Sequence, residues 1–486
     1  MKGPAAIAVS SLLLLALGAC TEMTPFRTAW PTRPIDCSPN SLGVVPRECR
    51  FAILEKADRA QYELLSVEFD DQGLQYPDPE DFTRGDGSKV GQARQQINLI
   101  MNHLKAMTGD PRKLSLLVFI HGWKNNAAAD NDNVKSFRDI LASIAISEEA
   151  RGSAARRVVG IFVGWRGLSA TVEPFKGMSF WDRKVTAQHV AVGSVRALFA
   201  RLRSFQCKQN DPTNEDGCRT ATAGHAPRVR VLFIGHSFGG LILYNAIAED
   251  LIESVTFDLD AGPRPTSAPR FGDMVLLLNP AFEATRYTPL YRAAERATGL
   301  PDEKYRPPIF VAVTTDADWA TRYAFPAGRF FNALFEKTAS AEEDEANRNT
   351  IGHIKKYITH RLEKSDQSSC AGWGEELTAV SSNGKISPAP TNESKKERLR
   401  LDLKFERANS DAFFLATLKD QKLPDKWVRS FCGGTKLTHV QHDPNSLIWN
   451  IETDGNIMSG HNDITNPALV SFIRQLYEDV ATFPNM

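Results

Sequence analysis

The sequence predicts an α/β protein with a mostly parallel central sheet flanked by helices and a large insertion late in the chain. Three observations carry this prediction. Five short, nearly continuous apolar runs, at residues 114–120, 158–163, 229–234, 274–278 and 309–314, are separated by helical or loop segments. Strands buried on both faces look like this, whereas a sheet with one wet face alternates apolar and polar residues. The pentapeptide Gly235-His236-Ser237-Phe238-Gly239 directly follows the run ending at Ile234 and precedes the helix-patterned Gly240-Leu241-Ile242-Leu243-Tyr244-Asn245-Ala246-Ile247, so it occupies a strand-to-helix turn. Near the end, Leu469, Phe472, Ile473, Leu476 and Tyr477 recur at helical spacing behind Asn466 as N-cap and Pro467 at the first helical position.

Taken in order, the chain opens with Lys2 and an apolar run from Ala5 to Leu17 that ends in Leu17-Gly18-Ala19-Cys20. Residues 1–19 read as a secretion signal, since the run is too short for a comfortable membrane span. Residues 20–50, rich in Pro, Thr and Arg, read as a tether. A core is expected over 51–337, entered by a strand at 62–69 and by a helix carrying Ile97, Ile100, Met101 and Leu104. Residues 338–444 turn charged and polar, with Ser381-Ser382-Asn383-Gly384-Lys385 and Lys395-Lys396-Glu397-Arg398, and read as a cap or insertion. The core resumes over 445–486 with a final strand at Leu447-Ile448-Trp449 and the closing helix.

Composition narrows the function classes. Lys plus Arg and Asp plus Glu are equal at 58 each among 486 residues, which removes the basic excess expected of a nucleic-acid partner. Of seven cysteines, Cys20 closes the signal. The others, in an oxidising compartment, suggest disulfides, with sequence proximity favouring Cys37 with Cys49, Cys207 with Cys218 and Cys370 with Cys432. None has CxxC spacing, so no metal, redox centre or other cofactor is expected.

Chemistry centres on Ser237. Small residues flank a serine when the turn is tight, and such a turn exposes the hydroxyl beside the positive end of a helix. A serine hydroxyl is a poor nucleophile at neutral pH, so a base and an orienting acid must accompany it. From about Leu114 to the C-terminus, apart from the insertion, the chain resembles the α/β-hydrolase superfamily, whose order is nucleophile, acid, histidine. The resemblance puts the acid after the 309–314 strand, in Thr315-Asp316-Ala317-Asp318-Trp319-Ala320, and favours Asp318 over Asp316. It puts the base between the last strand and the closing helix, at His461 in Ser459-Gly460-His461-Asn462-Asp463. His353, His360, His439 and His442 would each need a rearranged topology. The 143 residues from Asp318 to His461 are a departure from the family, which a cap would fill.

The same resemblance implies an oxyanion hole built from the N–H groups of Trp123 and Phe238, with His121-Gly122-Trp123 at the end of the first apolar run. His121, Gly122, His236 and Trp319 are expected around the substrate, with Lys124 and Asn125 near the entrance. Two aromatic stretches, Phe175, Met178, Phe180 and Trp181, and Trp319, Tyr323 and Phe325, are candidate walls of an acyl pocket. The chain's opening resembles the lipobox of bacterial lipoproteins, which implies acylation of Cys20 and anchoring at the cell envelope, with Thr21 fitting outer-membrane sorting. The expectation is a serine esterase acting on apolar acyl groups. The alternatives are a phospholipase or lipase, or a silent hydrolase-like scaffold that binds an envelope partner.

Overall fold

The computed structural model describes residues 23–31, 33–38, 45–57, 61–76, 95–149, 151–169, 179–211, 227–256, 271–296, 307–332, 336–365, 403–410, 412–413, 427–442 and 446–482. The chain runs β1 (Ile35–Asp36), β2 (Leu54–Ala57), β3 (Tyr62–Phe69), α1 (Gln96–Met107), β4 (Leu114–Ile120), α2 (Asp132–Glu149), β5 (Arg157–Trp165), α3 (Phe180–Val192) and α4 (Val195–Asn210). It continues through β6 (Val229–His236), α5 (Phe238–Thr256), β7 (Met274–Leu278), α6 (Thr288–Arg296), β8 (Phe310–Thr315), α7 (Phe325–Asn332) and α8 (Ala341–Arg348). The last elements are β9 (His360–Lys364), β10 (Val428–Phe431), β11 (Thr435–His439), β12 (Ile448–Thr453) and α9 (Pro467–Thr482).

One sheet holds all the strands among the described residues, in the order β1-β2-β3-β5-β4-β6-β7-β8-β12-β9-β11-β10. From β3 to β9 every neighbouring pair is parallel. The expected fold class holds at this level: an α/β chain with a large, mostly parallel sheet flanked by helices. The apolar runs became strands because each feeds both faces. In β4, Leu116, Val118 and Ile120 join one apolar cluster with Ile100 and Leu104 of α1 and Leu241 of α5. Leu117 and Phe119 join the opposite cluster with Phe137 of α2 and Phe472 of α9. Pro467 opens α9, and the Asn466 side chain accepts from the Ala468 N–H at 3.1 Å.

Described residues within two of the expected stretches join the sheet. The 20–50 stretch does not act only as a tether, since β1 pairs with β2 and Arg27 is fully buried. The Arg27 guanidinium forms an ion pair with Glu55, and its backbone N–H donates to Glu68 at 2.7 Å, so a charge that is costly to bury alone is satisfied there. The 338–444 stretch is not wholly a cap, because β9, β11 and β10 extend the sheet beyond β12, the last two antiparallel. Leu362, Phe431 and Leu437 on these strands are buried in the apolar cluster that holds Phe472, while alternate residues remain exposed or half-buried, which made the segment look merely polar.

Cys37 and Cys49 form a disulfide. Cys207 and Cys432 are also disulfide-bonded, while their expected partners, Cys218 and Cys370, lie outside the described residues, as do Cys20 and the signal. Among the described residues no helix is long and apolar enough to cross a membrane.

Candidate active site

In a parallel sheet the loops leaving the carboxyl ends of neighbouring strands gather along one edge, where ligands bind in such folds. Here β4, β6, β7, β8 and β12 are consecutive neighbours. Their ends lead into His121, Ser237, Asn279, Asp318 and the loop that carries His461.

Ser237 sits between β6 and α5 with φ 57°, a left-handed conformation that a non-glycine residue rarely adopts. The backbone around it leaves no room for side chains two residues to either side. A Cβ on Gly239 would lie 2.0 Å from the Ile120 carbonyl oxygen, and one on Gly235 would lie 2.7 Å from the Gly239 oxygen. Both positions therefore need glycine, and the bend turns the hydroxyl toward the loop edge.

His461 Nε2 lies 2.8 Å from Ser237 Oγ, and its Nδ1 lies 2.7 Å from Asp318 Oδ2. An ionised carboxylate only accepts, so Nδ1 carries the proton and Nε2 is left to accept from the serine hydroxyl. Asp318 is fully buried. Burial pushes its carboxyl up, but hydrogen bonds from His461 and Thr321 outweigh this and hold it below the usual carboxylate range. Asp316 is exposed and its backbone is tied to β12, with its N–H donating to Thr453 at 2.9 Å.

The opposite wall is the turn after β4. A Cβ on Gly122 would lie 2.7 Å from Ser237 Cβ, so only glycine lets this turn approach the serine. Among the described residues no backbone carbonyl accepts from the Trp123 or Phe238 N–H, which leaves both available beside Ser237. His121 is buried beneath the turn rather than lining the substrate space. Its Nδ1 donates to the Gly122 oxygen at 2.9 Å, its Nε2 accepts from the Trp165 N–H at 3.1 Å, and its ring stacks on Trp165. Burial lowers it to about 4, so it stays neutral and holds the turn.

His236 is likewise buried, and its Nε2 donates to the His461 carbonyl at 2.9 Å. Burial and the neighbouring His461 bring it down to about 3. Asn279, which the sequence did not single out, completes this support. Its Nδ2 donates to the same His461 carbonyl at 3.0 Å and its Oδ1 accepts from the Thr315 N–H at 3.1 Å, so it links the His461 loop to the Asp318 loop. An asparagine directly after an apolar run was the available signal; its burial and φ of 44° appear only in the fold.

Trp123 meets Phe180 edge-on at 5.0 Å, and Phe180 meets Phe238 at 4.8 Å. Trp181 and Phe325 close the far side of this aromatic wall, 5.8 Å apart. Trp319 and Tyr323, by contrast, are 69% and 56% exposed next to Asp318, so they stand at the surface rather than fill the core. Phe175 and Met178 lie outside the described residues. Among those described no cluster of His, Cys, Asp and Glu could hold a metal ion.

The arrangement can raise the nucleophilicity of one hydroxyl, accept its proton, and present two N–H groups to a developing negative oxygen. No protein-family model matches the chain, and neither a curated protein nor a solved structure is found similar to it.

Proposed function

We propose that the protein is a serine hydrolase of α/β-hydrolase type that cleaves carboxylic esters through an acyl-enzyme intermediate. The observation that carries this reading is the unbroken hydrogen-bond chain from Asp318 through His461 to a Ser237 held in a rarely populated backbone conformation. Strained backbone at a non-glycine residue persists where its surroundings enforce it, and such residues cluster at active sites.

In this reaction Ser237 Oγ attacks the acyl carbonyl as its proton passes to His461 Nε2, and Asp318 stabilises the imidazolium. The N–H groups of Trp123 and Phe238 receive the oxyanion, worth roughly 3 to 4 kcal/mol per donor in comparable sites. His461 returns the proton to the departing alkoxide, and a water deprotonated by the same histidine then releases the acid from Ser237. The half-buried Trp123 and Phe180, backed by the fully buried Phe238, suit an apolar acyl group. Acylated Cys20 would anchor the enzyme in the cell envelope, at a bacterial outer membrane facing the periplasm.

A phospholipase or lipase is the second reading, favoured by the exposure of Trp319 and Tyr323 beside the acid. A chain-length series of nitrophenyl esters, assayed with and without micelles beside Ser237→Ala, tests both. Turnover of short soluble esters that disappears in the variant supports the esterase. Turnover that rises sharply only above the micellar threshold supports the lipase, and equal rates in the variant contradict both.

A further inference from the structure

We infer that Thr321 and His353 are positioning residues of this site: His353 fixes the Thr321 hydroxyl, and that hydroxyl holds Asp318 in the orientation that serves His461. The inference rests on the serine-hydrolase reading and extends it behind the acid, to a residue the sequence places in the insertion.

The argument follows the protons. Asp318 Oδ2 lies 2.7 Å from His461 Nδ1 and 2.5 Å from Thr321 Oγ1. The ionised carboxylate can only accept, so the single hydroxyl proton of Thr321 is committed to it. His353 Nε2, 2.9 Å from the same hydroxyl oxygen, must then be the donor, which fixes its tautomer. The other carboxylate oxygen, Oδ1, accepts from the backbone N–H groups of Ala320 at 2.9 Å and Thr321 at 3.2 Å. Rotating the Asp318 side chain would break bonds at both oxygens.

The backbone is built around the same contacts. Thr321 is almost fully buried in a single π-helical turn, Ala320–Ala324, a local irregularity frequent at functional sites. His353 ends the short helical turn Ile351–His353, which is clamped onto the two strands that carry the acid and the base. A Cβ on Gly352 would lie 2.1 Å from Thr314 Oγ1 on β8, and Asn450 Nδ2 on β12 donates to the Ile351 carbonyl at 2.8 Å. Asp318, Asp316 and Arg322 are the charged groups facing His353, and burial, the largest influence, lowers it to about 4. Through the ordinary assay range it is therefore a neutral donor.

The test measures the rate of Ser237 inactivation by a fluorophosphonate as a function of pH, with thermal melting of each variant alongside. Thr321→Val is expected to slow inactivation about tenfold, the scale of one hydrogen bond to a charged group. Its acid limb should move to higher pH, because an Asp318 carrying a more localised charge holds the imidazolium more tightly. Thr321→Ser should react near the wild-type rate. His353→Leu should resemble Thr321→Val, His353→Gln should stay within about threefold of wild type because its amide replaces the lost donor, and the double variant Thr321→Val with His353→Leu should be no slower than Thr321→Val alone. If Thr321→Val does not fold, the two His353 variants carry the comparison. Wild-type rates and an unshifted profile in Thr321→Val and His353→Leu, or a Thr321→Ser as slow as Thr321→Val, overturn the relay while leaving the hydrolase reading intact. A folded wild type that never labels overturns the hydrolase reading itself, and the relay with it.

Discussion

His461 Nε2 stands 2.8 Å from Ser237 Oγ, although 224 residues of chain separate the two. The approach follows from the sheet: β6 and β12 are parallel, with β7 and β8 between them, so both residues leave the same edge. The His461 carbonyl is held from beneath by His236 and Asn279, and its ring from behind by Asp318.

That geometry separates the two neighbouring aspartates. Asp318→Asn should lower ester turnover by about three to four orders of magnitude, the scale of losing the acid in a comparable triad. Asp316→Asn should leave it within about twofold, because Asp316 is exposed and does not bond to His461. Steady-state kinetics of the pair checks this, and His461→Ala beside His439→Ala gives the same comparison for the base.

Gly122 provides a steric test. The added methyl of Gly122→Ala would lie 2.7 Å from Ser237 Cβ and 3.1 Å from the His236 oxygen, so either the serine or the turn after β4 must shift. Turnover should fall by about a hundredfold, as for a misplacement of roughly 1 Å, in a protein whose circular dichroism is unchanged.

Acid should weaken the fold around the site. His121, His236 and His353 are held to about 4, about 3 and about 4, all below the ordinary histidine value of 6.5. Their neutral burial contributes fully above that value and is lost as pH falls toward 3 to 4, because the unfolded chain gains protons first. The depressed Asp318 carboxyl acts in the same direction at lower pH. The Glu68 carboxyl, raised by burial to about 7, acts in the opposite direction over the same range and offsets part of this loss. Melting temperatures measured from pH 7.5 to 4 should decline below about 6.5, and a decline no steeper than that of His353→Gln would contradict the buried neutral state of His353.

The Cys37–Cys49 disulfide closes a loop with a sequence separation of 12. Replacing both cysteines by serine should cost about 3 kcal/mol on the loop-entropy scale. The loss should be read as earlier melting or proteolysis at the β1–β2 edge. Fluorophosphonate reactivity should stay at the wild-type level, because that edge is far along the sheet from β6.

The parallel strands were legible because they are buried on both faces and their apolar residues run on continuously. Ser237 was legible because its turn demands glycines that the sequence displays. The extension by β9, β11 and β10 was not, since strands such as His360–Lys364 and Thr435–His439 hide only alternate side chains. The packing of Arg27 was equally hidden, because its partners Glu55 and Glu68 lie on strands whose register the sequence does not state. Asn279, Thr321 and His353 matter through contacts between loops that meet only once the sheet is formed. Position in the chain argued against His353 near the site, yet its segment docks onto β8 and β12.

The most direct test of the central claim is intact-mass spectrometry of the protein beginning after Cys20, incubated with a fluorophosphonate beside Ser237→Ala. The account predicts one covalent adduct on the wild type and none on the variant. A folded wild type that stays unmodified at every pH and detergent condition, or a variant that is modified equally, would contradict an activated Ser237 and favour a hydrolase-like scaffold without turnover.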